Sequence, residues 1–273
     1  MPLLKVTHLG KTYRQLGGAP TPAIHDVSLS VKGGQFVSLV GPSGCGKTTL
    51  LMCIAGLTKP SEGAILLSGR ALLGPPPNLV LVFQEFNKSL FAWRTVLGNV
   101  LFGLEARPGA SGHRSKLEER ARHFIKLVGL EGFENHYPWE LSGGMQQRVA
   151  IARALAHEPQ VLLMDEPFGS VDALTRLELE DTLLRLWEEL KTTILFVTHD
   201  IEEAIYLSDM IYVLSARPCR ILGQIELKLK RPRNQLTSRE ESLFIDYRHE
   251  IYEMISRETM NARAQAASPP KGI

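Results

Sequence analysis

The chain is poor in cysteine, in net charge and in long apolar runs, and each shortage removes a class of protein. Its three cysteines, Cys45, Cys53 and Cys219, stand in no metal-ligand spacing. No disulfide framework or zinc site is therefore expected, and the thiols read as reduced, as in a cytoplasm-like compartment. The 31 basic and 29 acidic residues leave a formal charge of +2, which offers no general attraction to a polyanion, so nucleic acid is not an expected partner. No stretch approaches the roughly 20 apolar residues that cross a bilayer. The opening MPLLKVTHLGKTYRQ lacks the apolar core of a signal peptide, so a membrane role is expected to run through a partner.

What is present is an ordinary apolar share, 44% of 273 residues, enough for one main domain with a short appendage. Short apolar runs at Phe36 to Val40, Leu79 to Phe83, Val161 to Met164 and Ile194 to Val197 suit strands buried on both faces of a parallel sheet. Helical patterns lie between them, opening at Lys47 and spanning Ser115 to Val128 and Ala173 to Leu190. The alternation predicts an α/β fold. Leu3 to His8, Ile24 to Val31 and Ala64 to Ser68 read as an antiparallel flank. Helix signals dominate residues 87–157, read as an inserted helical subdomain that carries the loop Pro108 to His113. The main domain is expected over 1–230. A helical extension follows over 231–273, with Leu243, Tyr247, Ile251 and Met254 as its inward stripe and a mobile tail after Arg257.

Gly41-Pro42-Ser43-Gly44-Cys45-Gly46-Lys47-Thr48, followed by Thr49, matches G-x-x-x-x-G-K-[ST] between an apolar strand and a helix. Glycines let the backbone curl so that successive N–H groups and the helix start face phosphate oxygens. Lys47 adds a cation and Thr48 a magnesium ligand. The pattern points to a nucleoside triphosphate and to nothing more specific. Cys45 lies inside this loop, so thiol reagents are expected to inactivate and ATP to protect.

A second glycine-bearing turn, Leu141-Ser142-Gly143-Gly144-Met145-Gln146-Gln147-Arg148, opens another helix. It resembles the signature sequence of ABC ATPases, which implies a P-loop NTPase fold with a mainly parallel core sheet. In proteins it resembles, this turn closes over the ATP held by a second copy, so two ATPase chains complete one site. The γ-phosphate then joins them, because the positive ends of two helices face its charge. Ser142 is also a natural helix N-cap, and the two readings are compatible.

Asp165 and Glu166 end a buried strand, where open parallel sheets present their sites. Asp165 is expected to hold magnesium, directly or through water. Glu166 is the candidate general base for the attacking water. The resemblance assigns Gln84 to the metal or the water, His199 to the γ-phosphate and Asp172 to a loop that crosses to the opposite subunit. Tyr13 matches the aromatic that stacks on adenine, with ordinary packing as the alternative.

The segments 83–100 and 167–176 look like those of bacterial import ATPases for nitrate, taurine and alkanesulfonates, although Ala92 stands where that group commonly has proline. The resemblance therefore implies a peripheral protein on the cytoplasmic face of the inner membrane. Its partners would be transmembrane permease subunits and, indirectly, an extracytoplasmic solute-binding protein. Phe86, Leu90, Phe91 and Trp93 are expected to divide between the helical core and a groove for a coupling helix. An exporter ATPase and a soluble ABC protein without a membrane partner are the competing classes.

Overall fold

A computed structural model describes residues 2–14, 18–106 and 114–267; the expected loop Pro108 to His113 lies outside them. The described chain divides into two compact units, one formed by Met1–Lys32, Val37–Leu73 and Thr198–Ile273, the other by Gly33–Phe36 and Gly74–Val197. The fold is the expected α/β class, and no described helix is long and apolar enough to cross a membrane.

In the first unit, strands β1 (Leu4–Tyr13) and β2 (Thr21–Val31) pair antiparallel, and β1 also pairs antiparallel with β4 (Glu62–Leu67). A two-residue β5 (Arg70–Ala71) completes this sheet. β1 runs five residues past His8, where sequence alternation breaks, because register shifts beyond Val6 absorb the irregularity. Strand β3 (Phe36–Val40), buried at all five positions, leads into helix α1 (Lys47–Ile54).

The second unit carries β6 (Leu79–Val82), the short α2 (Phe86–Ser89), α3 (Val96–Glu105) and α4 (Arg114–Leu127). It continues with α5 (Gly143–Ala156), β7 (Val161–Asp165), α6 (Ala173–Leu190) and β8 (Thr193–Thr198). β6, β7 and β8 pair in parallel. β7 and β8 are buried at every position, which is why their sequences show no polar alternation. α3 crosses α5 at Gly103, where a Cβ would run into the Arg153 carbonyl oxygen. The backbones meet there without a side-chain layer.

The first unit resumes with α7 (Ile201–Leu207), β9 (Met210–Leu214), β10 (Ile221–Glu226), α8 (Thr237–Glu240) and α9 (Ser242–Ala267). β9 pairs in parallel with β3 and antiparallel with β10. On α9 the inward stripe is Phe244, Tyr247, Ile251 and Met254; Phe244 is fully buried and Leu243 is 40% exposed. The i, i+3, i+7 spacing runs through Phe244, which displaces Leu243 from the expected stripe. The helix continues ten residues beyond Arg257 through NARAQAA, a run rich in good helix formers.

Candidate functional site

In the first unit the phosphate-loop motif forms a closed curl. A Cβ on Gly41 would lie 2.9 Å from the Leu214 carbonyl oxygen, and one on Gly46, whose φ is +122°, would lie 2.8 Å from that of Ala23. Only glycine fits either place. Gly46 is the N-cap of α1 and offers no side-chain acceptor to the first-turn amides, so that helix start has no side-chain cap. The buried Lys47 ammonium donates to the carbonyls of Gly41 at 2.9 Å and Pro42 at 3.0 Å, which meets the need of a desolvated cation. Ser43, Gly44 and Thr48 are exposed, whereas Pro42, Gly46 and Thr49 are half-buried.

Cys45 does not face the solvent side of the loop: it is 1% exposed and its thiol meets that of Cys219. The hydrogen bond from Cys219 pulls the Cys45 thiol down to about 7, helped by the Lys47 ammonium and opposed by burial. The same bond, with burial, pushes Cys219 up. Tyr13 closes β1 with its ring 40% exposed and the Lys11 ammonium 5.1 Å from the ring centroid. His199 is exposed directly after β8, and Asp200 beside it caps α7 by accepting from the amides of Glu202 and Glu203.

The second unit gathers three of the expected groups. β7 ends on the buried Asp165, and the half-buried Glu166 follows with φ +41°, a left-handed conformation that costs roughly 1–2 kcal/mol for a residue with a Cβ. Its amide donates to Val197 O at 2.9 Å and its carbonyl accepts from Gly169 N at 3.1 Å. Both bonds hold the turn that carries Glu166. The exposed Gln84 reaches the same turn, since a Cβ on Gly169 would lie 3.6 Å from Gln84 Nε2.

The signature segment begins with buried Leu141, and Ser142 Oγ accepts from Met145 N at 3.3 Å as the N-cap of α5. Gln146 Nε2 donates back to Leu141 O at 3.2 Å. Gly143 has open space around it, whereas a Cβ on Gly144 would lie 2.5 Å from the Thr175 methyl. Asp172 in turn caps α6 by accepting from Thr175 N at 3.0 Å, and its hydrogen bonds with Thr175 hold its carboxyl below the usual range. The starts of α5 and α6 are thus packed together. Gln147, given no role of its own by the signature segment, is fully buried and donates to Pro167 O, tying α5 to the turn after Glu166.

Among the described residues no cluster of three or more His, Cys, Asp or Glu could cage a metal ion. The donors the motifs provide are instead a hydroxyl at Thr48, a carboxylate at Asp165 and an amide at Gln84. Few, hard oxygen donors fit magnesium, which keeps phosphate and water as its other ligands.

A separate cavity of about 320 Å³ lies in the second unit, lined by Val80, Val82, Phe83, Phe91, Phe102 and Arg153 among others. Phe91 packs edge-on to Phe102 at 4.8 Å, and the Arg153 guanidinium lies 5.6 Å from the Phe91 ring. Trp93 is 73% exposed at 5.2 Å from Phe91, whereas Leu90 is buried. Of the expected anchors, then, Phe91 lines the cavity, Leu90 is buried and Trp93 is exposed; the Phe86 side chain lies outside the described residues. Asn99 fixes the backbone that carries Phe91: fully buried, it donates to the carbonyls of Phe91, Arg94 and Thr95 and accepts from Phe91 N. An asparagine inside the apolar helix VLGNVLFGL was the available signal, because buried amides are held by partners.

Comparison with known proteins gives consistent matches. The ABC transporter family model matches residues 24–169. The chain is 48% identical over 259 residues to an uncharacterized ABC transporter ATP-binding protein of Methanocaldococcus jannaschii, covering 95% of this chain and 93% of that protein. It is 46% identical over 212 residues to the aliphatic sulfonates import ATP-binding protein of Bacillus cereus, covering 78% and 81%. Among solved structures, a bacterial ABC transporter cassette determined as a dimer superposes with a TM-score of 0.73 at 35% identity, covering 82% of this chain and 99% of that one.

Proposed function

Since the chain belongs to the ABC transporter family, we propose that it is the ATP-hydrolysing subunit of an importer and works as a pair of identical chains. The observation that carries this reading is the phosphate loop: an uncapped helix start, glycines that admit no side chain and a lysine curled into the loop. Such a loop presents backbone N–H groups and a cation to a triphosphate.

In this reading the phosphates of ATP lie along Gly41 to Thr49, and Tyr13 stacks on adenine. Thr48, Gln84 and Asp165 would hold magnesium, which would supply positive charge against the phosphates. Glu166 accepts the proton of the attacking water, and Gln84 and His199 orient the water and the γ-phosphate. Leu141 to Gln146 of the second chain cover the γ-phosphate, and Asp172 crosses at the same interface. Once the γ-phosphate is released, the charge that drew the helix starts together is gone and the pair opens.

The Phe91 groove receives a short helix of the permease, so that closure of the ATPase pair moves the membrane subunits. The chain then sits peripherally on the cytoplasmic face of the inner membrane, and an extracytoplasmic binding protein delivers the solute to the permease. The relative named for aliphatic sulfonates, with the 83–100 and 167–176 segments, favours a small anion of the nitrate, taurine or alkanesulfonate kind.

Glu166→Gln tests the assignment. With MgATP it is expected to form a stable dimer in size-exclusion chromatography, retain unhydrolysed ATP and lose on the order of 10²–10⁴-fold in turnover. Near-normal hydrolysis would move the base elsewhere. Co-purification with its permease, followed by transport assays with the three candidate anions, tests the import reading.

A further inference from the structure

The residues beyond β10 converge on one small helix. α7 has seven residues, too few to be stable by itself, and it begins two residues after His199. Its N-terminal end is held by Glu202, whose two carboxylate oxygens accept from Arg248 Nη1 at 3.0 Å and Arg239 Nη1 at 2.8 Å. Its C-terminal carbonyls are collected by two more arginines. Arg233, itself buried, donates to Ile205 O at 3.0 Å and Tyr206 O at 2.7 Å. Arg231 donates to Leu207 O at 2.9 Å and to Asp209 at 2.8 Å.

Each contact follows from helix physics. Carbonyls of the last turn lack intrahelical partners and carry partial negative charge, so guanidinium groups there are favourable. A carboxylate bridged by two guanidinium groups, one to each oxygen, is fixed in direction as well as in place. The buried Tyr206 locks the arrangement from below, with the Arg239 guanidinium 5.3 Å from its ring and its hydroxyl donating to Arg233 O at 3.3 Å. At the other end, Asp200 caps α7 through the Glu202 and Glu203 amides, and its own amide donates to Thr198 Oγ1 at 3.0 Å. His199 lies between the two residues of that last bond. Wherever α7 sits, His199 must follow.

We propose that the C-terminal extension is a brace for His199, and that Glu202, clasped by Arg239 and Arg248, is a positioning residue for ATP hydrolysis. The proposal rests on the assignment of His199 to the γ-phosphate made above. It gives residues 231–251 a part in turnover although none of them belongs to the nucleotide-binding motifs. Loosening the clasp leaves the phosphate loop intact but lets α7 and His199 drift, and small misplacements of a catalytic group lower the rate more than the affinity.

The test uses the full-length chain, steady-state hydrolysis of MgATP, binding of a fluorescent ATP analogue and thermal melting. Glu202→Ala and the double variant Arg239→Ala/Arg248→Ala are each expected to lower kcat roughly tenfold, with analogue affinity held within about twofold. Glu202→Gln keeps the side-chain shape and should lose less; Arg239→Lys/Arg248→Lys keeps the charges and should recover part of the rate. In a His199→Ala background, Glu202→Ala should cost nothing further, because both changes disable one device. Wild-type kcat in Glu202→Ala, a full multiplicative loss in the histidine background, or a loss that appears only where the melting temperature collapses would each overturn the brace. Wild-type turnover in His199→Ala alone would instead remove the histidine assignment on which the brace depends, so the two failures are told apart.

Discussion

Two helices open in glycine-bearing turns, and they open differently. α1 starts at Gly46 with no side-chain cap, whereas α5 starts at Ser142, whose hydroxyl already accepts from Met145 N. Helix starts carry unsatisfied amides and partial positive charge in both cases. At α1 no side chain takes up that capacity, and the surrounding backbone is too close to admit any residue but glycine. At α5 the capacity is partly used within the chain, by the Ser142 hydroxyl. On the function proposed above, the first turn holds ATP by itself, whereas the second, already capped, adds to a site that the other chain brings.

The sharpest way to break this contrast is at the glycines themselves. Gly46→Ala places a Cβ against Ala23 O at a φ of +122°, and strain of about 3 kcal/mol would weaken ATP binding some hundredfold in a fluorescence titration. Gly143→Ala meets nothing within 4 Å and should leave that affinity unchanged. Equal losses in the two variants would erase the distinction.

Ser142 offers a second, smaller contrast. On the proposed function, Ser142→Arg is expected to keep ATP binding largely intact and abolish hydrolysis, because its bulk and charge would obstruct the nucleotide of the second chain. Ser142→Ala should cost about 1 kcal/mol of stability through the lost cap, read as a lower melting temperature. Normal turnover in the arginine variant would reduce the segment to a plain helix start.

The smallest effect concerns Cys45. Its thiol is pulled down to about 7, so the thiolate fraction and the alkylation rate should rise as pH passes upward through that value. With the side chain 1% exposed, iodoacetamide should nevertheless react more slowly with the folded chain than with the unfolded one, and more slowly again with ATP bound. Identical rates with and without ATP would detach this cysteine from the nucleotide loop.

Both turns were legible as motifs, and β3, β7 and β8 as apolar runs, because those signals are local: a few adjacent residues carry each. The serine cap at Ser142 was legible as well, since serine before a helix is a natural N-cap. The crowding at Gly46 was not, because it comes from Ala23, more than twenty residues away. The arginine clasp on Glu202 was hidden for the same reason, since no sequence period links position 202 to 239 and 248. On α9, one residue of phase separated Leu243 from Phe244, and two adjacent apolar side chains give a helical pattern no means to choose between them.

The crossing of α3 and α5 at Gly103 has a mechanical consequence. With main chain set against main chain, the floor beside the Phe91 cavity has low compliance: there is no layer of rotatable side chains to deform under load. A helix pressing into that cavity would therefore move the whole segment as a solid piece, and Gly103→Ala would convert a stiff seat into a wedged and loosened one.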